Sequence, residues 1–188
     1  MGMAATIDFY SGDMVRELNA RERRHWPRYE SVHGELLVSP APRMWHQVVV
    51  DNLYGALHAY LQREPIGRAF TSPADISWGL DDVCVQPDVF VVPAAEMSTM
   101  EWRQVRHLLL AAEVSSPSSV RADRFTKRWL YQEQRTPLYW AIDAHGRVAE
   151  LWTPETRFPR LERELITWHP AGASTPFTLE LETLFRPL

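Results

Sequence analysis

Lysine is almost absent from this chain. Of its 20 basic residues, 19 are arginine and one, Lys127, is lysine. Arginine is a planar, permanently charged fork, whereas lysine is a compact point charge whose pKa responds to its surroundings. A chain that uses arginine everywhere else marks Lys127 as the place where a lysine has a chemical use. The plainer alternative is one lysine kept by chance on a solvated helix face. Cysteine is equally scarce. Cys84 stands alone, which excludes an intrachain disulfide and a cysteine-based structural zinc site and fits a reducing cytoplasm. Excess positive charge is missing too. The net charge is −4, so no overall basic character announces a nucleic-acid binder, although a local basic patch is compatible with it. No apolar run approaches the ~18 residues that span a bilayer. Met1 to Asp8 lack the positive start and apolar stretch of a signal peptide. A cytoplasmic location with no membrane segment is expected. Neither of the common glycine-rich phosphate loops occurs, which counts against nucleotide binding.

What is present suits a globular domain. The 188 residues, 45% of them apolar, are enough for one domain with a sizeable core. We expect a single domain over residues 1–188, with 1–28 as an N-terminal extension carrying a short helix. Tyr29 to Val38 reads as a hairpin turning at His33-Gly34. Met44 to Arg63 has Val48, Val49, Leu53, Leu57 and Leu61 at helical spacing. Strands are predicted over Arg68–Trp78, Val83–Val92, Leu108–Val114 and Leu138–Ile142, with Arg147–Thr153 as a hairpin partner and Leu161–Trp168 as one more strand. A helix over Val120–Arg135, with Phe125, Trp129 and Leu130 toward the core, lies between the third and fourth. Leu179 to Phe185 resembles a closing helix. This order implies an α/β fold with helices flanking a mixed sheet.

Two carboxylates and the lone lysine carry the chemistry. Asp88 follows Pro87 at the entrance to a β-rich run. Glu113 ends the apolar run Leu108–Ala112, and a buried carboxylate is rare unless it is paired or bound to metal. Asp123, Lys127 and Tyr131 are spaced four apart and share one helix face. Glu35 and Asp75, both at strand positions, are further candidates for the acid cluster, as is His46. Ser115 and Ser116 have no matching histidine–acid pattern, which removes a serine-hydrolase reading. Arg121, Arg124 and Arg128 put positive charge along the same helix as Lys127 and are candidate DNA contacts.

Several motifs in order resemble one family. They are Gly34-Glu35-Leu36-Leu37-Val38-Ser39-Pro40-Ala41-Pro42, His46-Gln47, Gln86-Pro87-Asp88, Glu113-Val114-Ser115-Ser116-Pro117-Ser118, Arg121-Ala122-Asp123-Arg124, Lys127, and Tyr139-Trp140-Ala141-Ile142-Asp143. Together they resemble the Uma-two family, assigned to the PD-(D/E)XK nuclease superfamily. The resemblance implies a restriction-endonuclease-like three-layer core with an N-terminal β-hairpin. It implies that Asp88 and Glu113 hold Mg²⁺ or Mn²⁺ with a carbonyl near Val114, and that Lys127 acts as a displaced catalytic lysine. The lysine usual two residues after the second acid is replaced here by Ser115, and His33 stands where the family has an aspartate. The implied activity is metal-dependent endonucleolytic hydrolysis of DNA by a homodimer. The alternative is an inactive member that keeps the fold as a binding or assembly module.

Overall fold

The computed structural model describes residues 9–22 and 26–187. Helix α1 (Gly12–Arg21) begins at Ser11, whose hydroxyl accepts the Met14 N–H at 3.2 Å. That bond satisfies one of the free donors of the first turn. α1 buries Val15 and is tied to the next element by Asn19, which donates to the Tyr29 carbonyl and accepts its N–H, both at 2.9 Å. Strands β1 (Arg28–Val32) and β2 (Glu35–Ser39) form the antiparallel hairpin. Its turn residues His33 and Gly34 have φ of 48° and 80°, the pair of left-handed conformations that a two-residue hairpin turn needs. Helix α2 (Met44–Arg63) has the bounds its periodicity predicts and buries Val49, Leu53, Leu57 and Leu61.

Six strands then build the main sheet in chain order: β3 (Gly67–Thr71), β4 (Val89–Pro93), β5 (Leu110–Ser115), β6 (Tyr139–Asp143), β7 (Val148–Trp152) and β8 (Arg160–Glu162). Only β5 and β6 pair in parallel; the other neighbours are antiparallel. Strands β9 (Leu165–Trp168) and β10 (Phe177–Glu180) form a second hairpin, and α4 (Leu181–Leu184) follows it.

Alternation along the central strands sorts the side chains into two buried layers. Val89, Val91, Leu110, Ala112, Trp140 and Ile142 face α2, α4 and the β9–β10 hairpin. Phe90, Val92, Ala111, Tyr139 and Ala141 face the β1–β2 side and helix α3 (Arg128–Glu133). Both faces are covered, so these strands read as unbroken apolar runs. Ile142 is fully buried in the first layer. Ile142→Val removes one methylene there and should lower stability by about 0.5–1.5 kcal/mol. The urea midpoint should fall with an unchanged slope, and a change in slope would mean the layer does not behave as one packed core.

Four segments differ from their sequence-based expectation. The strand expected over Arg68–Trp78 ends at Thr71, before Pro73, and only Ile76 beyond it makes a single bridge, to Val85. The Val83–Val92 stretch is not one strand: Cys84 and Val85 make single bridges to Ser31 and Ile76, and β4 begins only after Pro87, which has no N–H to continue a ladder. Leu161–Trp168 splits between β8 and β9, which belong to different sheets. The helix expected over Val120–Arg135 opens with a π-helical segment, Ala122–Lys127, before α3. Within it the Arg128 N–H reaches the Asp123 carbonyl, an i→i−5 bond. Asp123, Lys127, Leu130 and Tyr131, which share one helix face, turn inward. Phe125 and Trp129, expected in the core, are consequently 62% and 64% exposed.

Candidate active site

The register of the central strands sets the two acids side by side. Val89 pairs with Ala112, so one step further along the antiparallel register Asp88 faces Glu113. Directly opposed like charges on neighbouring strands repel, and both residues are buried, at 4% and 2% exposure. Something must hold them. Asp88 Oδ2 accepts the Val114 backbone N–H at 2.9 Å and lies 3.1 Å from His46 Nε2. Its Oδ1 lies 3.5 Å from the Arg28 guanidinium. Glu113 Oε1 accepts from Lys127 Nζ at 3.0 Å and from the Tyr131 hydroxyl at 3.1 Å. Among the described residues none donates to its second oxygen, Oε2.

Lys127 is 3% exposed and bridges two carboxylates, since Nζ also lies 2.9 Å from Glu30 Oε2. Glu30 is fully buried on β1, where it accepts the Gln86 backbone N–H at 2.7 Å. The π-helical turn that delivers Lys127 is pinned to the sheet, because the Tyr139 hydroxyl donates to the Asp123 carbonyl at 2.9 Å. Tyr139 in turn stacks on Tyr131 with ring centroids 4.7 Å apart. Asp123 itself is buried beside the cluster.

The charges do not balance. With all four ionised, the buried carboxylates Glu30, Asp88, Glu113 and Asp123 carry two more charges than the two cations they face, Arg28 and Lys127, His46 left aside. The excess shows in the titration of the acids. Burial raises the Glu113 pKa, Lys127 works against that, and the charges of Asp88, Asp123 and Glu30 push it further up, so it stands well above the usual carboxylate range. Burial raises Asp123 likewise, with Lys127 opposing and Asp88 adding to the rise. Burial also disfavours the Asp88 charge, but the His46 hydrogen bond and the Arg28 charge prevail and hold Asp88 below the usual range. At Glu30, Lys127 and Arg28 likewise overcome burial and lower the pKa. At Lys127 burial alone would favour the neutral amine, yet Glu113, Glu30 and Asp123 raise its pKa and keep it charged.

A cavity of about 1000 Å³ opens over this cluster. Asp88, Glu113 and Lys127 contribute to its lining, with Trp26, Trp45 and His145 among its other walls. The donor set suits a hard divalent cation. Mg²⁺ is commonly held by one or two carboxylates while it keeps several waters, and two excess negative charges match its charge. Among the described residues no three His, Cys, Asp or Glu side chains form a ready-made metal cluster, so a cation here would rest on the two carboxylates, a backbone carbonyl and water.

Of the residues singled out from sequence, Asp88, Glu113, Lys127 and His46 are brought together. Glu35 is not: it is exposed at the turn end of β2, opposite Val32. Glu30, two strand positions before Val32, occupies the place in the cluster that Glu35 was expected to take. Asp75 also stands outside, where it accepts from Gln86 Nε2 at 2.7 Å, and Gln86 in turn donates its N–H to Glu30. The arginine rim is largely occupied elsewhere. Arg124 pairs with Glu150 at 2.7 Å, while Arg128 donates to Gln132 at 2.7 Å and lies 5.0 Å over the Trp152 ring. Arg121 is exposed, and none of the three lines the cavity. Sequence reasoning missed Glu30 and Arg28. The available signal was their i, i+2 spacing on a strand, which puts both on one face.

Comparison with known proteins places the chain in a family and a fold. The family Uma2, described as "Putative restriction endonuclease", matches residues 15–182. A solved structure, that of a "putative nuclease belonging to DUF820" from Anabaena variabilis ATCC 29413, is 20% identical with a TM-score of 0.72, covering 94% of this chain and 97% of that chain. At this identity the likeness is one of fold, and it agrees with the mixed sheet flanked by helices. No curated protein matches the chain. No helix among the described residues is long and apolar enough to cross a membrane.

Proposed function

This chain belongs to the Uma2 family, and from that premise we propose that it hydrolyses phosphodiester bonds in DNA with a divalent cation, Mg²⁺ or Mn²⁺. The observation that carries the reading is the convergence of Asp88, Glu113 and Lys127 on the floor of one cavity, with two negative charges in excess. Asp88 and Glu113 would hold the cation, together with the Val114 carbonyl. When bound, it activates water and offsets charge on the phosphate.

The chain's own residues supply the rest. Arg28, His46 and the Val114 N–H fix the orientation of Asp88. Tyr131 and Lys127 fix one oxygen of Glu113, which lines the cavity, and among the described residues none donates to the other. An ammonium has three donors. One of those on Lys127 is donated to Glu113, and the ammonium also lies 2.9 Å from Glu30 Oε2 as an ion pair, which leaves a donor for a phosphoryl oxygen or the attacking water. A fixed donor aimed at developing charge in a site shielded from water is the most effective kind of stabilisation. Burial leaves Lys127 no freedom to wander, so the donor is positioned before substrate arrives.

Calorimetric titration with Mn²⁺ tests this. Burial and the neighbouring carboxylates raise the Glu113 pKa, so protons compete with the cation for this carboxylate. Binding should therefore weaken as pH falls from 8 toward 5, and the measured enthalpy should vary with the ionisation heat of the buffer. No Mn²⁺ binding, or binding equal in wild type and Asp88→Asn, would leave the alternative of an inactive nuclease fold serving as a binding module.

A further inference from the structure

We propose that the cavity admits a single strand of DNA and excludes an intact duplex, with exposed bases stacking on Trp26 and Trp45 while the phosphate reaches the carboxylates. The inference rests on the nuclease reading above and adds the form of the substrate.

Three observations carry it. The first is depth. Asp88, Glu113 and Lys127 are 4%, 2% and 3% exposed, so a phosphate must come to the floor of the cavity to meet them. A duplex is a stiff rod with a persistence length of about 50 nm, and its two paired backbones do not bend into a pocket of this size. A cavity of about 1000 Å³ lies at the upper end of pockets that enclose small ligands, roughly 300–1,000 Å³, and suits one or two nucleotides drawn from a flexible strand.

The second observation is charge. Proteins that grip a duplex do so through many Lys and Arg contacts to phosphates. Here Arg124 and Arg128 are committed to Glu150, Gln132 and Trp152 and do not line the cavity. Of the lining cations, Arg28 and Lys127 serve the buried carboxylates, which leaves exposed Arg43 as the one without a carboxylate partner among the described residues. Among the described residues, a backbone bound mainly by charge has little to hold here.

The third is the wall chemistry. Trp26 and Trp45 are only partly buried and both line the cavity. Trp45 is held in place by its indole N–H, which donates to the Ala144 carbonyl at 3.3 Å. Trp26 carries the Arg28 guanidinium 5.7 Å from its ring centroid. Aromatic faces of this kind bind single strands without regard to sequence, because every base offers a π-face once it is unpaired. In a duplex those faces are already stacked.

The test uses full-length protein with a fluorescent single strand and the same strand annealed to its complement. Binding is read by anisotropy in Ca²⁺ and cleavage is read in Mn²⁺. The single strand should bind and be cut at least about tenfold better, and Trp45→Ala should weaken its binding roughly fivefold to a hundredfold, the range that stacking of one base gives. Trp45→Phe keeps a ring and should retain binding, which separates stacking from a folding defect. Equal or better use of the duplex overturns this inference while the nuclease reading stands. Cleavage of neither, with single-strand binding that still depends on Trp45, overturns the nuclease reading and keeps the assignment of the occupant. Neither binding nor cleavage overturns both.

Discussion

Asp88→Asn and Glu113→Gln should both abolish Mn²⁺-dependent DNA cleavage, yet move thermal stability in opposite directions. The loss of activity should be about 10²–10³-fold or more, the scale for removing one fixed group that stabilises a transition state. The stability signs follow from the two titrations. Glu113 has a folded-state pKa well above its ordinary value, because burial and the charges of Asp88, Asp123 and Glu30 outweigh Lys127. A raised carboxylate contributes stability that is fully present below its unfolded value, about 4.3, and lost as pH rises through the folded value. Above that window the ionised Glu113 costs stability that glutamine does not. Glu113→Gln should therefore gain on wild type in melting temperature as pH goes from 4 to 8. Asp88 is depressed, since the His46 hydrogen bond and Arg28 outweigh burial. Its contribution is present above its unfolded value, about 3.9, and is lost as pH falls through the folded one. Asp88→Asn should therefore melt below wild type at pH 7, with the gap closing toward low pH. Thermal melts across that range, beside plasmid cleavage, check both halves. If the two variants shift in the same direction at pH 7, the excess of negative charge does not reside at Glu113.

The different fates of Glu35 and Glu30 show how far the sequence could be read. Elements with strong periodicity or turn chemistry were legible. Leu53, Leu57 and Leu61 define one helix face, and His33-Gly34 can hold the φ values of a tight hairpin turn. Glu113 was legible because it ends an apolar run, so its burial could be inferred before any contact was known, and Asp88 stood out after Pro87 at the entrance to a β-rich run. Glu30 gave no such cue. Its neighbours Tyr29 and Ser31 show no alternation of apolar and polar residues, and its burial comes from distant parts of the chain, the Gln86 N–H and Lys127. The π-helical turn was illegible for a related reason. A 3.6-residue period puts Phe125 and Trp129 inside, and only the tertiary pairing of Lys127 with Glu30 and Glu113 turns the other face inward. The demands of a charged cluster overrode the apolar periodicity at the one helix that carries the lysine.

That override makes Lys127 the most sensitive position for stability. Lys127→Met keeps the length and apolar stem of the side chain but removes the charge between Glu30 and Glu113, at 2.9 and 3.0 Å. Two buried carboxylates are then left facing one another with Arg28 as their nearest cation. Breaking a buried pair by removing one partner costs about 3–5 kcal/mol, which for a chain of this size is a fall of roughly 10 °C in melting temperature. Lys127→Arg should melt closer to wild type, because a guanidinium can still bridge two carboxylates. It should still lose cleavage, because its planar fork cannot sit as a point charge beside one water. An ordinary surface pair would behave otherwise, with arginine replacing lysine at almost no cost to either property. The coupling can be isolated with a double-mutant cycle. In Lys127→Met combined with Glu113→Gln, the second change removes one of the stranded charges, so the pair should be more stable at pH 7 than Lys127→Met alone and the two effects should not add. Additive effects in that cycle would mean that Lys127 and Glu113 do not depend on one another.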